Sequence, residues 1–234
     1  MEIFKRFIPR LITLGVVCLV AALGYVKQEI IKTDAKTYIN PTIIIDAGHG
    51  GFDGGAKAAD GTVEKDINLN ISQKVRALLC FNGYNVIMTR TEDVGTEDDE
   101  SAAISTRKKS DLANRLQIMT DNPDAIYVSI HLNKFTTSAA NGAQVFYTKN
   151  YVEARDLAES VQANIIRLIQ PENTRVIKQG TDSTYLLKNA TVPAVIVECG
   201  FLSNKTELEK LKTDDYQSQM AFAIVGGIMD FYKD

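Results

Sequence analysis

The chain contains only two histidines, and each stands where an apolar run gives way to polar residues. His49 closes Ile43-Ile44-Ile45-Asp46-Ala47-Gly48-His49, and His131 closes Ile126-Tyr127-Val128-Ser129-Ile130-His131. A third run, Val195-Ile196-Val197, ends in Glu198. Short continuous apolar runs are the pattern of strands covered on both faces. In open α/β sheets the carboxyl ends of such strands line the ligand crevice. If the three strands are parallel, His49, His131 and Glu198 meet at one edge. One histidine at a strand end is usually structural. Two that converge with acidic residues are better explained by a metal. Imidazole suits Zn2+, and a single catalytic zinc needs about three protein ligands with a position left open. The third ligand is expected to be a carboxylate. Glu64, just after a glycine-rich loop and at the start of a helix, is the best candidate. Asp46 and Asp53 compete with it, and a helix N-terminal charge is its plainer role. Spacing alone does not choose among them. Glu198, the acidic residue that ends the run Val195-Ile196-Val197, suits proton transfer rather than ligation.

The loop His49-Gly50-Gly51-Phe52-Asp53-Gly54-Gly55 lacks both the dinucleotide fingerprint and the P-loop Lys-Ser/Thr, so a phosphate cradle is the weaker reading. Its glycines let backbone approach the site closely. Arg90, Arg107 and Asn133 are candidates for substrate binding. Asn133 follows His131 by two, and an arginine can bind a carboxylate in a bidentate way. A surface ion pair is the alternative role for each arginine. Residues 91–103 carry six acidic side chains from Glu92 to Glu100 without periodicity, which reads as an exposed loop, with a role at the rim of the site as the alternative.

Elements that would position these residues alternate along the chain. Strands are expected at 42–46, 84–89, 125–131, 142–147 and 192–198. Helices are expected at 66–81, 104–119, 151–169 and 216–232, with a short one after Asn204, where Asn204 and Glu207 have capping-box spacing. In the first helix Ile67, Ile71, Val75 and Leu78 share a face. In the third, Val152, Leu157, Val161 and Ile165 do. Residues 170–184 read as a polar loop. The fold class is α/β: a single domain with a mostly parallel or mixed sheet of five or six strands and helices on both faces. Cys80 and Cys199 read as buried small apolar residues rather than a disulfide pair.

An N-terminal export segment precedes this domain. Lys5, Arg6 and Arg10 stand before the charge-free run Leu11 to Val26. That order is a signal peptide or an uncleaved membrane anchor, and it places the rest of the chain outside the cytoplasm. The expected organisation is therefore 1–26 export or anchor segment, 27–41 polar linker and 42–234 catalytic domain. Hydrophobic residues make up 45% and charged residues 24%, which excludes global disorder. The net charge of −3 argues against a nucleic-acid binder. Tyrosine or phenylalanine would have to supply any aromatic stacking on a sugar, because tryptophan is absent.

Five ordered motifs now stand together: Asp46-Ala-Gly-His-Gly-Gly51, Glu64-Lys-Asp-Ile-Asn68, Thr89-Arg90-Thr91, Ser129-Ile-His-Leu-Asn133 and Val197-Glu-Cys-Gly-Phe-Leu-Ser-Asn204. In that order they resemble the zinc-dependent N-acetylmuramoyl-L-alanine amidases of the amidase-3 type, from Thr42 to the C-terminus. The resemblance implies zinc held by His49, Glu64 and His131, with Glu198 as catalytic acid/base. It implies hydrolysis of the amide joining muramic acid to L-alanine in peptidoglycan, which frees stem peptides. The chain looks most like the short amidases of sporulating bacteria that act on spore cortex, where peptide removal prepares muramic acid for conversion to its δ-lactam, a mark read in germination. That implies a place at the cell wall or outer membrane face, in the compartment around the forespore. The chain lacks wall-binding repeats and an obvious extra helix after Asn133 that could plug the site. An accessory activating or targeting protein at the membrane surface is therefore expected.

Three rival readings remain. A zinc peptidase would cut within stem peptides and would free no N-terminal L-alanine. A non-catalytic peptidoglycan-binding module would have no use for Glu198. A metal-free glycosidase using Glu64 and Glu198 would be indifferent to chelator.

Overall fold

The computed structural model describes residues 41–233, and the expected export segment and most of the linker lie outside them. Six strands form one sheet: β1 Thr42–Ala47, β2 Asn85–Met88, β3 Ile126–Asn133, β4 Gln144–Tyr147, β5 Lys178–Gln179 and β6 Ala194–Phe201. The order is β2-β1-β3-β6-β4-β5. β2, β1, β3 and β6 are mutually parallel, and β4 runs antiparallel to β6. The sheet is therefore mixed, with a parallel centre. Helices α1 Glu64–Phe81, α2 Ile104–Thr120, α3 Glu153–Ile169, α4 Tyr185–Asn189, α5 Lys205–Leu211 and α6 Asp214–Phe231 complete the described domain.

Two buried layers follow from strand alternation. Ile43, Ile45, Val128, Ile130, Val195 and Val197 join a large core with residues of α1, α3 and α6. Ile44, Tyr127, Ala194 and Ile196 join a smaller one beneath Met119 of α2 and Leu186 and Leu187 of α4. On that second face each central strand changes character along its length. Ile44 is followed by Asp46, Tyr127 by Ser129 and His131, and Ile196 by Glu198. The carboxyl ends of the parallel strands thus become polar on one face at one edge.

Some expected details differ. In α1 the buried face is Ile67, Ile71, Val75 and Leu79, with Leu78 only partly buried, because Leu79 lies four residues beyond Val75. Val152 is 75% exposed, since α3 starts one residue after it. Cys80 is exposed and Cys199 buried. The segment 170–184 contains the two-residue strand β5, and α4 follows it directly. At α5 the Asn204 side chain accepts from Glu207 N at 3.1 Å, but the Glu207 carboxylate turns away to accept from Gly142 N and Phe201 N, both at 2.8 Å. Part of the acidic 91–103 stretch is fastened down. Asp93 accepts from Gly51 N and Lys65, and Glu97 pairs with Arg107.

Candidate metal centre

β1 ends under a loop that turns sharply at His49. Among the described residues His49 is the one non-glycine with left-handed backbone, at φ 61°. The imidazole stands edge-on to that of His131, with ring centroids 4.9 Å apart. Glu64, the first residue of α1 and 3% exposed, reaches between them. Its Oε1 lies 3.0 Å from His131 Nδ1 and 3.4 Å from His49 Nε2. Donor atoms of these three residues all lie within 4.8 Å of one another, close enough to converge on one metal ion.

The surroundings fix this trio. Glu64 Oε2 accepts from Ala56 N at 2.8 Å, and Oε1 from Leu132 N at 3.1 Å and Asn68 Nδ2 at 3.2 Å. His49 Nδ1 meets Asp53 Oδ2 at 2.9 Å, and Lys108 holds the other Asp53 oxygen at 3.1 Å. A carboxylate on the far ring nitrogen is the usual device for orienting a ligand histidine. Close packing demands glycine at position 48, where a Cβ would fall 2.3 Å from His131 Nε2. Asp46, a competitor for ligation in the sequence, lies beneath the site instead. It pairs with Arg115 and accepts from Thr89 Oγ1 at 2.7 Å and Ser129 Oγ at 2.5 Å. Asp53, the other competitor, is the partner of His49.

Charge states follow from this packing. Burial favours the neutral form of Glu64, but the hydrogen bonds and charges of His131 and His49 outweigh it and hold the carboxyl well below the usual range. Burial lowers His49, while the bonds to Asp53 and Glu64 more than compensate and raise it to about 9. Glu198 behaves differently. It is the register neighbour of His131 across β3 and β6. Its Oε2 is shielded from solvent and has no hydrogen-bond partner. Burial pushes its carboxyl up to about 7, with the histidines opposing and Glu64 adding to the rise.

Arg90, Arg107 and Asn133 lie around the site with other partners. Arg90 is 3% exposed and donates to the carbonyls of Ala47 (2.8 Å), Gly48 (3.1 Å), Lys65 (2.9 Å) and Glu92 (3.0 Å). Arg107 bonds Glu97 at 2.5 Å and lies 4.1 Å over the Phe52 ring. Asn133 closes β3 at a register shift, and its carbonyl accepts from Leu202 N at 2.8 Å. Sequence reasoning missed Arg115. This side chain is 2% exposed, pairs with Asp46 and Asp111, and donates to the His49 carbonyl at 2.8 Å. Its position on the i,i+4 spacing from Asp111 imitates a surface pair.

A parallel-centred α/β sheet with a His-Glu-His cluster and a spare carboxylate at its carboxyl edge defines a candidate metallohydrolase. Comparison with known proteins makes the class specific. Residues 43–230 match the Amidase_3 family, described as N-acetylmuramoyl-L-alanine amidase, and the chain belongs to that family. It is 35% identical over 192 residues to the germination-specific N-acetylmuramoyl-L-alanine amidase of Bacillus subtilis, covering 82% of this chain and 80% of that one. Its fold matches the CwlD amidase of Clostridioides difficile, solved in complex with the GerS lipoprotein, with a TM-score of 0.80 and 40% identity over 83% of this chain and 99% of that one. AmiC2 of Nostoc punctiforme matches with a TM-score of 0.72 and 29% identity over 83% and 98%. The enzyme is thus an N-acetylmuramoyl-L-alanine amidase by family, a hydrolase of peptidoglycan.

Proposed function

We propose that this protein hydrolyses the amide between N-acetylmuramic acid and L-alanine with one zinc ion held by His49, Glu64 and His131. The donor set of two imidazoles and one carboxylate suits zinc and leaves a coordination position free. When bound, zinc contributes Lewis acidity toward the amide carbonyl and toward water. The observation that carries the reading is Glu198. Its Oε2 is shielded and without a donor beside the trio, and its carboxyl is poised near neutrality. Such a group can take a proton from the attacking water and return it to the departing alanine amine. Asp53 and Asn68 keep the ligand side chains in place through the bonds described above. Arg90 and Arg107 shape the loops around the site, and Asn133 stands at its margin toward substrate.

The cortex role rests on the Bacillus subtilis relative named germination-specific. We place the enzyme outside the cytoplasm, with residues 1–26 as export segment or anchor. Its product would be peptide-free muramic acid ready for δ-lactam formation. A lipoprotein or similar accessory protein at the membrane surface would target or activate it, as the complex of the C. difficile relative suggests.

The test is digestion of purified peptidoglycan and spore cortex, with zinc and with chelator, read by mass spectrometry. The expected result is zinc-dependent release of stem peptides with free L-alanine amines. Glu198→Gln should retain zinc and lose about 10²-fold or more in rate, the scale of general acid–base catalysis. Cleavage within stem peptides, or near-normal turnover by the Gln variant, would contradict the reading.

A further inference from the structure

At the same sheet edge a cleft of about 760 Å³ opens in the loop that follows Ala56, whose N bonds Glu64 Oε2 at 2.8 Å. Its walls come from the loop after Gly55, the chain leaving β3 and the chain leaving β6. Ala58, Leu202 and Leu208 form a buried apolar floor. Lys57, Lys134 and Lys205 stand exposed around it. Among the described residues none of the three is paired with a carboxylate, and Lys134 Nζ donates to the Lys57 carbonyl at 2.8 Å. Two carboxylates, Asp60 and Glu209, also line the cleft, but Lys212 holds them at 3.0 and 2.9 Å. The cleft therefore carries local positive charge on a chain whose net charge is −3. A free lysine on an open surface needs no explanation. Three around one concave floor beside a reaction centre concentrate potential where a ligand would lie.

We infer that this cleft is the subsite for the peptide side of the substrate, with Lys57, Lys134 and Lys205 receiving free carboxylates of the stem peptide. The inference deepens the amidase reading and rests on it. Charge decides which side of the scissile bond lies here. The lactyl carboxyl of the sugar is consumed in the amide, and N-acetylated sugars are neutral. The peptide beyond L-alanine carries free carboxylates. Reach agrees: Ala56 N bonds Glu64 Oε2 at 2.8 Å and Lys57 is the next residue, so the cleft begins about one residue of chain away from the trio. Arg90, Arg107, Arg115, Lys65 and Lys108, other cations near the site, are engaged with backbone carbonyls or with Glu97, Asp46, Asp93 and Asp53. Ammonium heads on flexible stems also suit carboxylates of variable position better than a rigid guanidinium fork.

The experiment uses two probes: the free stem tripeptide with its carboxylates intact, and the same peptide with them amidated. Affinities are measured by calorimetry at low salt for the zinc-loaded wild-type protein and for Lys57→Gln/Lys134→Gln/Lys205→Gln. Lys178→Gln, on the far edge strand, is the control. The wild type and the control should bind the acidic peptide roughly ten-fold tighter than the amidated one, because each exposed ion pair supplies at most a few-fold. The triple variant should bind both alike. Equal affinities in the wild type, or no binding at millimolar peptide, overturn the inference. So does a triple variant that keeps the preference. Binding is read without turnover, so the two readings fail separately. Charge preference without release of L-alanine amines from peptidoglycan sinks the amidase chemistry. Release without charge preference sinks the subsite alone.

Discussion

A carboxylate with a shielded oxygen and no donor to meet it keeps its charge only against a desolvation penalty. Glu198 is in that position, and its raised pKa of about 7 expresses the cost. The folded value lies above the ordinary 4.5, so folding favours the protonated form. Stability is therefore lost as pH rises from about 4.5 to about 7, and the deficit persists above that. Glu198→Gln removes the charge while keeping the shape. In metal-free protein at pH 8 the variant should be more stable than the wild type by up to about 3 kcal/mol, with the advantage vanishing near pH 4. Urea titrations at the two pH values check this, and a variant less stable at pH 8 would contradict the burial argument. The residues of the candidate site differ in how far the sequence exposes them. His49, His131 and Glu198 are legible because each ends an apolar run. Glu64 is legible as a candidate only, since choosing it over Asp46 and Asp53 requires knowing which carboxylate reaches between the rings. Arg115 is not legible, because its partner Asp46 is far away in the chain and its spacing from Asp111 is that of an exposed helix pair.

Elements set these positions through what lies beneath them. Asp46 on β1 ties together Thr89 after β2, Ser129 on β3 and Arg115 on α2. Burial alone would raise the Asp46 carboxyl, but Arg115, with Ser129 and Thr89, outweighs it and holds the group well below the usual carboxylate range. The stabilisation is thus present above the unfolded pKa near 4 and is lost as pH falls toward the folded value. Asp46→Asn should cost about 3 kcal/mol at pH 7, the scale of breaking a buried pair. The gap to the wild type should narrow by about 1.4 kcal/mol per pH unit below pH 4. Denaturant unfolding at pH 7, 4 and 3 gives the answer, and a gap that stays constant would mean Asp46 gains nothing from its charge. At this scale the sequence reads well where burial is two-sided. The central strands β1, β3 and β6 are continuous apolar runs, and α1 and α3 show helical periodicity. It reads poorly where elements are short. β5 is two exposed residues at the sheet margin and α4 spans five, so neither offers a period to detect. The acidic 91–103 stretch has no periodicity because its order comes from single long-range bonds such as Asp93 to Gly51 N.

For the whole molecule the cluster of ligands is a linkage between metal and fold. His49, Glu64 and His131 are brought together by β1, α1 and β3, which are distant in sequence, so the binding geometry exists only in the folded state. A ligand that binds only the native form stabilises it by about 2.7 kcal/mol at a concentration one hundred times its Kd. In a domain of this size each kcal/mol moves Tm by about 2–4 °C. Saturating zinc should therefore raise the Tm of the metal-stripped protein by about 5–10 °C, and chelator should reverse the shift. The variants separate the roles assigned to the site. His131→Ala loses a ligand and should show little or no zinc-dependent shift. Glu198→Gln keeps all three ligands and should show a shift of wild-type size although its turnover is lost. Differential scanning calorimetry with added zinc measures both without any substrate. A full shift in the His131 variant would move the metal to other residues. Loss of the shift in the Glu198 variant would make Glu198 a ligand and leave the proton transfer to another group.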